Sequence, residues 1–143
     1  MFKQVGPEQI ERDWNLIQYA IGDELCPIIK ATQKELKQAM LEDLIQVWMV
    51  IDEEAKEEPN RGYAFTMISK DYLSESRTLL ILKAVGVLVV RPEIWSEGLM
   101  EVINFSKKSG CQRIMALTES DHVAAFVRQL GGDVRFRLLT LEV

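Results

Sequence analysis

Few side chains in this sequence have a type and spacing suited to chemistry, and each also has a plain structural reading. The single histidine, His122, follows Asp121 and lies close to Glu119. A carboxylate beside an imidazole can fix its tautomer and poise it as a base near neutral pH; an exposed histidine in the first turn of a helix would look the same. The two cysteines, Cys26 and Cys111, are far apart and have no second Cys or His at ligand spacing, so no metal site is expected. A nucleophilic Cys111 would need a base that its flanking residues do not offer. Both thiols read as small buried apolar groups in a reducing compartment. Thr78 and Lys83 are the polar residues of the apolar run Thr78–Val90, and neither is a good general base. Trp14, Trp48 and Trp95 read mainly as packing residues. Arg135 and Arg137 alternate with Val134, Phe136 and Leu138, which puts the two guanidinium groups on one face of a strand. That face would meet solvent, a partner or carboxylates of the same domain.

The elements that position these residues belong to a chain the size of one ordinary domain, expected to span 1–143. Hydrophobic residues make up 48% and charged residues 27%, with only 8 glycines and 4 prolines, so a disordered or repetitive chain is excluded. Seventeen basic against 22 acidic residues leave a net charge of −5, which works against sequence-independent nucleic-acid binding. No apolar run approaches the length of a membrane span, and the N-terminus lacks the apolar core of a signal peptide. A soluble domain of the cytoplasm is therefore expected, without membrane insertion.

Ile10, Trp14, Ile17 and Ile21 share one helical face, which predicts a helix from Pro7 to Gly22. Thr32-Gln-Lys-Glu35 has the form of a capping box and predicts a second helix starting there. The apolar run Ile45–Ile51 predicts a strand, the charged segment Asp52–Asn60 a solvated hairpin tip, and Gly62–Ser69 the returning strand. Thr78–Val90 predicts a long strand buried on both faces, with Gly86 marking a bulge or a close backbone approach. A helix over Pro92–Ser109, a strand over Gln112–Leu117, a helix over Glu119–Leu130 and a strand over Asp133–Val143 complete the chain. In the last helix Val123, Phe126, Val127 and Leu130 form one face. The fold class is α/β: two N-terminal helices, antiparallel strands, then βαβαβ, giving a mixed sheet with helices on both faces.

This order of elements resembles the GNAT (Gcn5-related N-acetyltransferase) fold over essentially the whole chain. The residues that carry the resemblance are Val89-Val90-Arg91-Pro92-Glu93 at the strand-to-helix junction, Gly110-Cys111-Gln112-Arg113-Ile114 and Gln129-Leu130-Gly131. The pairing of a Trp-bearing strand, Gln46-Val47-Trp48-Met49-Val50, with a Gly-Cys-x-Arg-Ile segment is similar to the small divergent GNAT-like proteins of tailed bacteriophages.

The resemblance implies acetyl-coenzyme A held in a V between two splayed parallel strands, its pyrophosphate over the start of the following helix. The family's loop there has the pattern Arg/Gln-x-x-Gly-x-Gly/Ala, which bares backbone N–H groups and lets them approach the anion. In this chain the pattern falls on Trp95-Ser96-Glu97-Gly98-Leu99-Met100. Ser96, Gly98 and Leu99 are the cofactor-binding candidates the resemblance implies; Trp95 stands at the Arg/Gln position and could plug the cleft. Glu97 brings a carboxylate toward a pyrophosphate, and like charges about 4 Å apart repel by roughly 1 kcal/mol even in water. The family's Asn-x-x-Ala-x-x-x-Tyr-x-x-x-Gly-Phe pattern meets Ser120, Val123, Val127, Gly131 and Gly132. Valine cannot serve as the general acid that the tyrosine supplies, so no catalytic residue is assigned.

Two readings follow. The favoured one is a GNAT-fold protein without catalysis and without a cofactor, serving as a binding or structural component, phage-encoded and part of a larger assembly or virion. It would act through a protein partner or self-association. The alternative is an acetyl-CoA-dependent N-acyltransferase acting on an amine or a protein amino group.

Overall fold

A computed structural model describes residues 1–118, 121–134 and 138–143. It contains strand β1 (Phe2–Gln4), helices α1 (Pro7–Arg12), α2 (Trp14–Ile21) and α3 (Gln33–Leu41), and strands β2 (Gln46–Ile51), β3 (Asn60–Lys70) and β4 (Arg77–Gly86). Helix α4 (Pro92–Lys108), strand β5 (Arg113–Ala116) and helix α5 (Asp121–Gln129) follow. The sheet runs β1-β2-β3-β4-β5, antiparallel throughout except for the parallel β4–β5 pair.

Local chemistry explains most boundaries. Pro7 and Pro92 open α1 and α4, where the missing N–H costs no hydrogen bond. The predicted capping box forms: Glu35 N–H donates to Thr32 Oγ1 at 3.1 Å and Thr32 N–H donates to Glu35 Oε1 at 2.9 Å. Lys107 and Lys108 sit in the last turn of α4, where cations complement the helix dipole.

Each face of the sheet carries its own core. On one side α1, α2 and α3 bury Ile10, Ile17, Ile21, Leu36 and Met40 against Val47, Tyr63, Phe65 and Leu82. On the other, α4 buries Ile94 and Val102 against Phe2, Trp48, Val50, Ala64 and Leu79. All three tryptophans pack. Trp14 lies against the first core with the Lys37 ammonium 5.4 Å from its ring, and Trp48 meets Phe105 edge-on at 5.2 Å and donates to Thr66 Oγ1.

The structure corrects several expectations. The single helix over Pro7–Gly22 is two helices, because Asp13 leaves the helical basin (φ −99°, ψ 15°) while the apolar spacing continues across it. Strand β1, absent from the sequence reading, pairs Phe2–Gln4 with Trp48–Val50. The long strand ends at Gly86 rather than Val90, and its bulge lies at Leu82: Phe65 faces Lys83 while Thr66 faces Ile81. Gly86 does mark a close approach, since a Cβ there would lie 2.8 Å from the Leu88 carbonyl oxygen. Burial on both faces holds at Thr78, Leu79 and Leu82 and gives way to exposure at Ala84 and Gly86. Of the strand expected over Asp133–Val143, Arg135, Phe136 and Arg137 lie outside the described residues, and residues 133–134 and 138–143 form no ladder.

Candidate cofactor site

The parallel pair sets up the site. Strand β5 pairs only with Thr78–Ile81, so among the described residues no strand lies beside Leu82–Gly86 on that side of β4. Strand β5 ends at Ala116, opposite Ile81, and β4 continues alone past the bulge. Antiparallel alternation decides where the free backbone groups point. Val87 N–H donates to the Arg61 carbonyl, and Gly86 faces Gly62. The N–H groups of Lys83 and Val85 therefore turn toward β3, and those of Ala84 and Gly86 turn away from it. The free half of β4 thus offers two outward amides at two exposed residues.

Lys83, beside the bulge, is committed elsewhere. Its ammonium donates to the carbonyls of Ile21 at 2.7 Å and Glu24 at 3.3 Å, clamping the end of α2 and the loop after it to β4. The ammonium lies close to Gly22, whose φ of +69° favours glycine. Thr78 is buried and accepts from Arg113 Nε at 2.9 Å. Neither residue is placed to act as a general base.

At the end of β4 the chain passes through 87–91 and enters α4 directly at Pro92. Ser96, Gly98 and Leu99 are therefore interior residues of α4. Beyond the first turn a helical N–H is donated to the carbonyl four residues back, so their amides are engaged within the helix. Ser96 Oγ also donates to the Pro92 carbonyl at 3.3 Å. Gly98 is buried for a different reason: a Cβ there would lie 2.1 Å from Phe2 Cε1. Its lack of a side chain makes room for the Phe2 ring, which Trp95 meets edge-on at 5.9 Å. Trp95 thus packs beside β1. Glu97 sits 3.8 Å from the Met1 ammonium, and Phe2 N–H donates to Glu101 at 2.9 Å.

The charges around the start of α4 form the feature that sequence reasoning missed. Arg91, immediately before the helix, makes a bidentate pair with Asp52, both bonds at 2.8 Å, and lies 3.4 Å from Glu54. The Asp52 side chain is only 8% exposed, whereas the sequence reading placed it in a solvated hairpin tip. Hydrogen bonds from the Arg91 guanidinium hold its carboxyl below the usual carboxylate range, against the opposing effect of burial. The pair borders an open cleft of about 490 Å³ lined by Asp52, Glu54, Lys56, Arg61, Val89 and Arg91 among others. No sequence signal links Asp52 to Arg91; only the sheet order brings the β2–β3 hairpin beside the β4–α4 turn.

The remaining candidates do not assemble. Cys26 is buried, which pushes its thiol up, and Cys111 is partly buried; both are free. Asp121 lies exposed in the first turn of α5, while the His122 side chain, Glu119 and Ser120 lie outside the described residues. Val127 is half-buried on α5. Among the described residues no cluster of His, Cys, Asp and Glu could hold a metal ion, and no helix is long and apolar enough to cross a membrane.

No protein-family model matches the chain, and no curated protein matches it in sequence. Solved structures do match it in shape. A probable acetyltransferase superposes with a TM-score of 0.70 at 13% identity, covering 100% of this chain and 97% of that one. AAC(6')-Iy in complex with the bisubstrate analog CoA-S-monomethyl-acetylneamine gives 0.69 at 12% identity, covering 100% and 97%. A GNAT family acetyltransferase of Staphylococcus aureus gives 0.64 at 15% identity, covering 100% and 98%. Likeness at such identities is one of fold, and the fold is GNAT-like: a mixed α/β sheet with helices on both faces.

Proposed function

We propose that this chain, as one GNAT-like domain over residues 1–143, is a binding or structural component of a larger assembly and not an acetyl-CoA-dependent enzyme. The observation that carries the reading is the start of α4. A pyrophosphate needs bare amides at a helix start and small residues that let the backbone close on it. Here the amides of Ser96, Gly98 and Leu99 lie inside the helix, and the space at Gly98 is filled by the Phe2 ring. The guanidinium nearest the helix start, Arg91, is already held by Asp52. The residues present do not fit the cofactor's anionic end, so no catalytic step is derived through it. The resemblance of Gln46–Val50 and Gly110–Ile114 to phage GNAT-like proteins supports a phage assembly, in the host cytoplasm or in the virion. The exposed apolar residues of β5 and of the chain just after α5, among them Met115 and Leu130, support a protein partner or self-association over nucleic acid.

The acyltransferase reading is favoured by one observation, the unpartnered half of β4. Its outward amides at Ala84 and Gly86 could hold a thioester's pantetheine without any particular side chain.

A thermal-shift titration of the full chain with acetyl-CoA and with CoA at millimolar concentration separates the two. No shift with either ligand is expected. Saturation at about 100 times the dissociation constant would add roughly 2.7 kcal/mol, and a rise of several degrees with either ligand would overturn the non-catalytic reading.

A further inference from the structure

The C-terminal residues 138–143 are exposed and belong to no ladder among the described residues, yet their pattern is that of a strand. Leu139, Leu141 and Val143 fall on one side, all strongly exposed, and Leu138, Thr140 and Glu142 fall on the other. One contact ties this segment to the rest of the domain: the Glu142 carboxylate pairs with the Lys30 ammonium. Lys30 belongs to the loop between α2 and α3, which Lys83 clamps to the free half of β4 through the Ile21 and Glu24 carbonyls. The segment is thus tied to the loop that β4 holds through Lys83, and six residues in extended form reach about 20 Å, far enough to run along the part of β4 that no described strand pairs. Each side has what the other lacks. Leu82–Gly86 offer outward backbone groups next to exposed Leu88 and Val89, and the segment offers a backbone outside the described ladders and an exposed apolar stripe.

We propose that Leu138–Val143 is a strap that closes over the V by adding as a strand along the free edge of β4, guided by the Lys30–Glu142 pair. Main-chain bonds to the Ala84 and Gly86 amides would hold it, and the Leu139–Leu141–Val143 stripe would cover the apolar lip. The tether is weak, because both partners are more than 70% exposed. The strap therefore opens readily, and anything that enters the V must displace it. This holds whether or not acetyl-CoA binds.

Amide hydrogen exchange on the full chain, with no ligand added, tests it. Removing residues 138–143 is expected to speed exchange at Ala84 and Gly86 by about ten-fold or more while leaving Lys83 and Val85, bonded toward β3, unchanged. Lys30→Glu in the full-length chain should give part of the same loss, and the double variant Lys30→Glu/Glu142→Lys should restore protection. Equal exchange at Ala84 and Gly86 in the full and shortened chains overturns the proposal. So does protection that grows with protein concentration, which would assign the segment to a neighbouring copy. The CoA titration reads ligand binding and does not enter either result.

Discussion

The first 110 residues and the last 33 are both rich in apolar residues but do not form one kind of structure. Among the described residues every buried one lies at or before Ser106, and the apolar ones form two cores on the two faces of the sheet. After it, no described residue is buried, although β5 and α5 form and α5 has an apolar side. An amphipathic helix is stabilised chiefly by what its apolar face meets. In α1 to α4 that face meets the sheet; in α5 Val123 stays exposed, as does Leu130 just after the helix, and Phe126 and Val127 reach only partial burial. The sheet explains the contrast. Four strands, β1 to β4, are paired over the registers that carry the cores, while β5 contributes four residues paired along one edge. The buried cores of the described residues therefore lie in the first part of the domain.

The widest gap between the regions should appear in a matched pair of truncations. Phe65, with no exposure at all, sits at the centre of the helical core beside Tyr63. Phe65→Ala is expected to cost about 3–5 kcal/mol, through lost burial and a cavity the packed sheet cannot close. Leu130→Ala, at a half-exposed position just past the end of α5, should stay within about 0.5 kcal/mol. Urea unfolding followed by circular dichroism reads both. A loss at Leu130 approaching that at Phe65 would mean that α5 packs in solution and that the contrast is false.

Residues whose cause is local were legible from sequence, and those whose cause is distant were not. The capping box at Thr32 and Glu35, the prolines opening α1 and α4, and the apolar run of β2 each act within a few residues and were read correctly. Strand β1 was invisible because three residues carry no periodicity; its existence rests on Trp48–Val50 and on Glu101. The resemblance makes Gly98 a cofactor-binding candidate, but the reason for its small size is the ring of Phe2, far away in sequence. Asp52 looked solvated because its partner, Arg91, becomes a neighbour only once β2, β3 and β4 lie side by side. The apolar face of α5 was read correctly as a face; amphipathicity says that a face needs cover, not that the chain supplies it.

Gly98 offers the next test, since it joins the two ends of the packed region. A methyl group at this position would overlap the Phe2 ring, whose nearest atoms lie 2.1, 2.2 and 2.5 Å from the Cβ position. Gly98→Ala should therefore destabilise by about 1–3 kcal/mol despite alanine's better helix propensity. If the clash is the cause, Phe2→Ala combined with Gly98→Ala should cost less than the sum of the two single changes, a coupling read by a double-mutant cycle. Additive losses would mean that the ring and the glycine do not meet.

The smallest effect expected concerns charge, and it sharpens the contrast between the regions. Each has a cross-chain ion pair: Arg91–Asp52, with the carboxylate 8% exposed, and Lys30–Glu142, with both partners in solvent. The Arg91 hydrogen bonds depress the Asp52 pKa in the folded state. A carboxyl depressed in this way contributes stability above its unfolded value, near 3.9, and that contribution is lost as the pH falls through the lower folded value. Asp52→Asn should therefore lower the unfolding midpoint at pH 7 and flatten the decline in stability below about pH 4. Arg91 is half-exposed and screened by water, which keeps the effect below that at Gly98. Glu142→Gln should leave global stability unchanged at both pH values, because an exposed pair contributes little beyond local tethering. Urea midpoints at pH 7 and pH 3 distinguish these outcomes. Equal behaviour of the two variants would show that the Asp52 pair is as solvated as its C-terminal counterpart, and that the hairpin is not anchored to the start of α4.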